Sequence, residues 1–261
     1  MNAAVPSGFL APGGIQILAH QGLAHEAPPN TLLAFLHALA SGATHLETDV
    51  HATRDGVAVV SHDPHIDPNV DPNVLGASHD GRIDQLTFAE LSRIRLPHGQ
   101  TIPALAEALD AFPDARFNID VKAAAAVAAT VRAVRDAVAT DRVLITSFSQ
   151  ARRRAAVAGL PGVASSPSSA EFIRVLAATH LSPARTRRRL RGFVAVQVPE
   201  RVGPVTIVTP RFVRRMHAAG VEVHVWIVND PVVMARLLDR GVDGIVTDRC
   251  DLLRQLISAR T

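Results

Sequence analysis

The chain has 261 residues, 48% of them hydrophobic, and its 27 Lys and Arg stand against 24 Asp and Glu for a net charge of +3. That length holds one large α/β domain with ample core, while no apolar run reaches the roughly 18 residues that a membrane helix needs. The single cysteine, Cys250, excludes an internal disulfide and fits a reducing cytoplasm.

Met1–Gly14 has no basic start and is broken by prolines and glycines, so it makes a poor signal peptide. From Ile15 onward, short apolar strands alternate with amphipathic stretches. Strands are predicted over Ile15–Ala19, His45–Val50, Arg116–Val121, Arg142–Ser147, Val163–Ser165, Phe193–Val198, Glu222–Val228 and Gly244–Thr247. Helices are predicted over Thr31–Ser41, Ala123–Ala139, Gln150–Ala158, Ala170–Thr179, Pro210–Ala219, Pro231–Arg240 and Cys250–Ser258. Val57–His62 reads as an extra strand, and Phe88–Arg95 and Leu105–Phe112 as extra helices. Eight βα units in series predict one (β/α)8 TIM-barrel domain over residues 1–261, with a small loop insertion after the second strand at about 64–85. A doubly wound open sheet competes with it, but no glycine-rich phosphate loop of either common type is present.

Two segments interrupt the rhythm. The insertion contains the duplication Asp67–Val74, an ordinary loop by its spacing, since its oxygens do not follow the EF-hand pattern. Leu181–Arg191 carries five arginines without interleaved aromatics, which reads as a solvated helix face and gives no sign of a nucleic-acid partner.

The chemistry-bearing residues collect at strand ends. His20 ends the first strand, and Glu47 and Asp49, two apart on the second, share one face. Paired carboxylates repel unless a cation lies between them, and oxygen ligands suit a hard divalent ion. Nearby histidines supply a general base and a general acid. Asp120 and Lys122 share a face at the end of the third strand, and Lys122 is the only lysine among the 27 cationic residues. That one position asks for a compact ammonium, which a guanidinium does not imitate.

Taken together, His20-Gln21-Gly22, Pro28-Pro29-Asn30-Thr31, Glu47-Thr48-Asp49, Asp55-Gly56, Val60-Ser61-His62-Asp63, Asp120-Val121-Lys122, Trp226-Ile227-Val228-Asn229 and Gly241–Asp248 resemble, in order, the motifs of the glycerophosphodiester phosphodiesterase family. The resemblance covers Ile17 to Leu253. It implies a (β/α)8 barrel in which Glu47, Asp49 and Asp120 hold Mg2+ or Ca2+, His20 and His62 form the acid/base pair, and Lys122 contacts the phosphate. The implied reaction is hydrolysis of a glycerophosphodiester, a small-molecule substrate, to sn-glycerol 3-phosphate and an alcohol. Three positions depart from the family pattern: Gln21 replaces arginine, Pro29 replaces glutamate, and Asp120 replaces the usual glutamate.

Gln197 is a candidate for hydrogen-bonding substrate hydroxyls, and Trp226 for a wall against the apolar or glycerol part, each with plain packing as the alternative. His51 shares the parity of Glu47 and Asp49, and His25 reads as a loop residue. A sphingomyelinase D or phospholipase D-like lipid activity is the rival reading, and a barrel that only binds phosphodiesters is the non-catalytic one. Turnover of lysophospholipid would need an apolar rim, for which Phe9, Leu10 and Ile66 are too few.

Overall fold

The computed structural model describes residues 8–10, 14–25, 27–66 and 81–260; the Asp67–Val74 duplication lies outside them. Along the chain, β1 (Gln16–His20), α1 (Leu32–Ala40), β2 (His45–Ala52) and β3 (Ala58–Val60) are followed by the short α2 (Phe88–Leu91) and α3 (Leu105–Ala111). Then come β4 (Arg116–Val121), α4 (Ala126–Asp136), β5 (Val143–Thr146), α5 (Gln150–Gly159), β6 (Ala164–Ser165), α6 (Ser169–Leu181) and α7 (Pro183–Leu190). The last third holds β7 (Ala195–Pro199), the hairpin strands β8 (Arg201–Val202) and β9 (Val205–Thr206), α8 (Pro210–His217), β10 (Glu222–Trp226), α9 (Pro231–Asp239), β11 (Gly244–Thr247) and α10 (Cys250–Ser258).

Eight strands pair in parallel in the order β6-β5-β4-β2-β1-β11-β10-β7. The two ends of this path meet where Val194 N donates to Ser165 O at 3.1 Å, nearly closing the predicted TIM barrel. An open doubly wound sheet is thereby ruled out. The extra strand β3 lies antiparallel to β2, outside the barrel ring.

Short polar caps set the helix starts, which is why strand and helix periods switch so abruptly. Ser182, Thr209 and Asp230 cap α7, α8 and α9 through their side-chain oxygens, each followed at once by proline. Proline at the first helical position has its φ already set and no N–H to leave unpaired. The Ser182-Pro183 pair also explains the arginine run: it forms a helix of its own, α7, rather than a continuation of α6.

Two apolar layers hold the barrel. The larger one lies between strands and outer helices, from Ile17, Phe35 and Phe117 round to Val223, Leu237 and Leu253. The smaller fills the barrel interior with Phe9, Leu18, Leu144, Ala164, Ala195 and Val246. Phe9 packs edge-on against His45, 4.7 Å between ring centroids, and its carbonyl lies 2.7 Å from His45 Nε2. This segment therefore plugs the end of the barrel where the strands begin, and Phe9 takes no part in any rim at the other end. Burial drives His45 down to a pKa of about 3, so it is neutral at physiological pH.

Candidate active site at the carboxyl ends of the strands

Strand register sets the centre of the site. His20 on β1 stands opposite Glu47 on β2, and Asp49 stands opposite Asp120 on β4. In a (β/α)8 barrel, side chains at the carboxyl ends of several strands project into one mouth. Here His20, Glu47, Asp49, His62, Asp120, Lys122, Gln197 and Trp226 all line one cavity of about 680 Å³.

The turn after His20 is forced by Gln21 and Gly22, both left-handed at φ 55° and 85°. A Cβ on Gly22 would lie 2.6 Å from the Ala34 backbone, so only glycine lets α1 pack this close. Asn30 continues the same brace, its N–H donating to Gln21 O and its Oδ1 accepting from Thr48 Oγ1 on β2. The Gln21 amide nitrogen lies 3.4 Å from both Asp49 Oδ2 and His20 Nε2. Pro29 is exposed on the same loop.

The three carboxylates are buried, and Lys122 Nζ sits between two of them, 2.8 Å from Asp49 Oδ1 and 3.0 Å from Asp120 Oδ2. Burial, then the Asp49 and Asp120 charges, push the Glu47 carboxyl well above the ordinary range. Asp120 is raised by burial as well. Burial works against the Lys122 ammonium, but Asp120 and Asp49 outweigh it and hold its pKa above the usual lysine value. Asp120 Oδ1 is buried without a hydrogen-bond partner. Among the described residues, no three His, Cys, Asp or Glu side chains are gathered tightly enough to hold a metal ion, the ammonium occupying the place between the two aspartates.

Each histidine is paired at Nδ1. His20 Nδ1 lies 2.7 Å from Asp248 Oδ1, and Asp248 is itself held by Asn229 Nδ2 at 2.6 Å. The His20 hydrogen bond above all, with Asn229 behind it, keeps the Asp248 carboxyl below its ordinary range despite burial. An ionised carboxylate only accepts, so the His20 Nδ1 carries the proton and Nε2 presents a lone pair to the cavity. His62, at the exposed edge, has its Nδ1 3.0 Å from Asp63 Oδ1. His51 Nε2 lies 3.2 Å from the His62 carbonyl, so His51 props the His62 loop from outside the mouth.

Gln197 spends both ends of its amide inside the protein: Nε2 donates to Asn118 Oδ1 at 3.0 Å, and Oε1 accepts from Ser166 Oγ at 3.3 Å. Trp226 does double duty, packing on the interior cluster and facing the cavity, where Phe148 meets it edge-on at 6.1 Å. Asp248 and Asn229 were legible only as motif letters; a carboxylate ending the strand beside β1 was the signal of their contact with His20. The apolar wall of the cavity comes from Phe148, Ile173, Val202, Val205 and Ile227, none of which sequence reasoning selected. Of the three rim residues considered in the sequence, Phe9 and Ile66 are buried.

Comparison with known proteins agrees with this fold. A Mycobacterium tuberculosis protein named "Probable glycerophosphodiester phosphodiesterase 2" is 44% identical over 255 residues, 97% of this chain and 94% of that one. The crystal structure of a glycerophosphodiester phosphodiesterase from Parabacteroides distasonis has the same fold, with a TM-score of 0.74, 24% identity and coverage of 95% and 99% of the two chains. An Oleispira antarctica phosphodiesterase, solved in complex with the product sn-glycerol-3-phosphate, matches with a TM-score of 0.74, 23% identity and coverage of 93% and 96%. The model of the glycerophosphoryl diester phosphodiesterase family matches residues 20–252. The chain belongs to the glycerophosphoryl diester phosphodiesterase family.

Proposed function

We propose that this phosphodiesterase hydrolyses glycerophosphodiesters to sn-glycerol 3-phosphate and an alcohol, with His20 as general base, His62 as general acid and a divalent ion, Mg2+ or Ca2+, held by Glu47, Asp49 and Asp120. The observation that carries the reading is the oriented His20–Asp248 pair sharing one cavity with Lys122, His62 and three buried carboxylates. The product bound to the Oleispira antarctica relative supports it.

The donor chemistry suits a hard divalent cation, although the three carboxylates do not converge on one point in this structure and Lys122 Nζ, lying between two of them, would have to turn aside. All three donors are carboxylates, their charge exceeds that of the one ammonium among them, and the Asp120 Oδ1 is orphaned. When bound, such an ion neutralises that excess and polarises a phosphoryl oxygen. His20 Nε2 takes the proton of the nucleophile, either water or the glycerol 2-hydroxyl, and Asp248 stabilises the imidazolium that results. Lys122 turns rotatable N–H donors toward a phosphoryl oxygen. His62 protonates the departing alkoxide and, half exposed, regains its proton from solvent. Gln21, Gln197 and Trp226 border the substrate, the Gln21 amide within reach of its hydroxyls and the indole against its carbon skeleton, while the Gln197 amide stays engaged by Asn118 and Ser166. A single cysteine, which allows no internal disulfide, supports a reducing, cytoplasmic setting.

The test is release of glycerol 3-phosphate from a panel of glycerophosphocholine, glycerophosphoethanolamine and glycerophosphoglycerol, with and without chelator. Turnover should vanish with the chelator and return with Mg2+ or Ca2+. His20→Ala and His62→Ala should each cost about 10²–10⁴-fold, and together less than the product of the two losses. No release from any member of the panel overturns the reading.

A further inference from the structure

The cavity is short of positive charge. Lys122 is the only Lys or Arg among its lining residues, and its ammonium is already engaged by Asp49 at 2.8 Å and Asp120 at 3.0 Å. One divalent ion and one ammonium offset three carboxylates and no more. A phosphodiester brings a negative charge of its own, and a charge withdrawn from water without a partner is costly. Gln21 deepens the shortage, because its amide is neutral where the family pattern has arginine.

Arg152, in the first turn of α5, stands where such a charge is wanted. Ser149 caps this helix, its Oγ accepting from Arg152 N at 3.5 Å, so α5 opens at the carboxyl end of β5. The Arg152 side chain turns back toward the barrel, and its Nε donates to Ser147 Oγ at 3.1 Å. That hydroxyl donates in turn, at 2.7 Å, to the carbonyl of Val121, the residue between Asp120 and Lys122. Ser147 is buried and lines the cavity. The Arg152 charge reaches Asp120, where it joins Lys122 in working against burial. The two next arginines are spoken for: Arg153 and Arg154 both pair with Glu171, at 2.9 and 3.5 Å. Arg152 makes no ion pair with any described residue, and only its Nε has a hydrogen-bond partner among them. A half-buried guanidinium with its fork unpaired is completed by a phosphoryl oxygen.

We propose, resting on the phosphodiesterase reading above, that Arg152 is a substrate-binding residue and supplies from α5 the guanidinium that position 21 lacks. Its fork leans over the Ser147 hydroxyl and donates to a non-bridging phosphoryl oxygen of the diester. In the strand order β5 follows β4, on the far side from β1. The cation therefore approaches beside Lys122, clear of the His20 lone pair and of Asp49. An arginine at 21 would have to share space with both, since the Gln21 amide already lies 3.4 Å from each. Moving the charge across the mouth thus leaves the base free while the phosphate keeps a second cation.

The experiment measures turnover of glycerophosphocholine and, by calorimetry, binding of sn-glycerol 3-phosphate, both across a Mg2+ titration. It is run on the parent, Arg152→Gln, Arg152→Lys and Arg154→Gln, with a melting curve for each. We expect Arg152→Gln to raise KM and the Kd of glycerol 3-phosphate about ten- to a hundredfold, the worth of charge-assisted hydrogen bonds, with kcat nearly unchanged. Arg152→Lys keeps the charge without the fork and should fall between; it carries the test if Arg152→Gln does not fold. Arg154→Gln removes the same charge two residues away and should leave both constants as in the parent. Gln21→Arg with Pro29→Glu should gain more in the Arg152→Gln protein than in the parent, because there it returns a missing cation. Parent-like KM and Kd in Arg152→Gln, with diester turnover intact, overturn the proposal and leave the phosphodiesterase reading standing. So does a shift confined to the Mg2+ needed for half-maximal activity, which puts Arg152 to work on Asp120 and not on the substrate. An equal rise in Arg154→Gln overturns it as a general effect of charge. Weaker glycerol 3-phosphate binding in Arg152→Gln, without turnover of any diester by the parent, supports the Arg152 site and overturns the phosphodiesterase reading.

Discussion

Asp248 accepts the Nδ1 proton of His20 at 2.7 Å across 228 residues of chain, because β11 closes the barrel beside β1. In the proposed mechanism Asp248 touches no reacting atom; it fixes the tautomer that leaves Nε2 basic. Asp248→Asn replaces an obligate acceptor by a group that also donates, so the imidazole loses its preferred orientation. kcat should fall by about 10²–10⁴-fold, the range of general-base assistance, with KM nearly unchanged. A loss carried by KM alone would show that Asp248 acts only on binding.

The second prediction concerns the ion. Binding to the folded state alone raises stability by about 2.7 kcal/mol at a hundredfold excess over Kd. Melting should therefore rise with Mg2+ or Ca2+, and Asp49→Asn should erase the rise. Lys122→Met should melt early without the ion, because buried carboxylates lose their counter-charge, and should gain more than the parent from adding it. Lys122→Arg keeps the charge but brings a planar fork where 2.8 and 3.0 Å contacts fix a point donor. Its turnover should drop although its fold survives. Equal metal responses in parent, Asp49→Asn and Lys122→Met would remove these carboxylates from the ion site.

A third prediction links stability to the wall of the cavity. Glu171 starts α6, which carries Phe172, Ile173 and Leu176, through a capping box with Ser168. It is also clamped by Arg153 at 2.9 and 3.0 Å, and that guanidinium lies over the Phe193 ring at 4.9 Å. Burial alone would raise the Glu171 carboxyl, but Arg153 and Ser168 outweigh it and hold it below the ordinary range. A depressed carboxyl stabilises the fold fully above its unfolded value near 4.3, and this contribution is lost as pH falls through the folded value. Glu171→Gln should thus cost about 1.5–3 kcal/mol at neutral pH, as for a charged hydrogen bond. The gap to the parent should begin to narrow as pH falls below the unfolded value of about 4.3 and close as pH falls through the folded value. Thermal melts of both proteins across that range check the sign.

What was readable in the chain, and what was not, follows from the range of the signals. Strand parity is local, so spacing alone puts Glu47 and Asp49 on one shared face, and Asp120 and Lys122 on another. Serine, threonine or aspartate followed by proline marks a helix start within two residues, and α8 and α9 begin where those letters stand. The His20–Asp248 contact depends on barrel closure, which no local pattern encodes. The apolar wall was missed for a similar reason. Ile173 looks like one more apolar residue of an amphipathic helix, and Val202 and Val205 look like strand residues; only the folded loops bring them to one rim. Phe9 misled in the opposite direction, since an apolar residue near a terminus gives no sign of which end of the barrel it will plug.

The last prediction concerns Gln21 and Pro29, where this chain leaves its family's pattern. The Gln21 amide already reaches Asp49 Oδ2 and His20 Nε2, at 3.4 Å each. An arginine there would lay a guanidinium on Asp49, a carboxylate proposed for the ion, and beside the lone pair proposed as the base. Gln21→Arg alone should therefore raise the divalent concentration needed for half-maximal activity and gain little in kcat/KM. Pro29 is exposed, next to Asn30, whose N–H donates to Gln21 O at 2.9 Å. A glutamate at 29 is thus near enough to draw the guanidinium off Asp49 and aim it at the phosphate. Charge-assisted hydrogen bonds contribute about 1.5–3 kcal/mol, or about ten- to a hundredfold in kcat/KM. Gln21→Arg with Pro29→Glu should gain more than the two single changes combined and return the metal requirement to that of the parent. Steady-state kinetics of the four proteins across a Mg2+ titration decide it. If the double variant behaves as the sum of the singles, residue 29 does not orient residue 21.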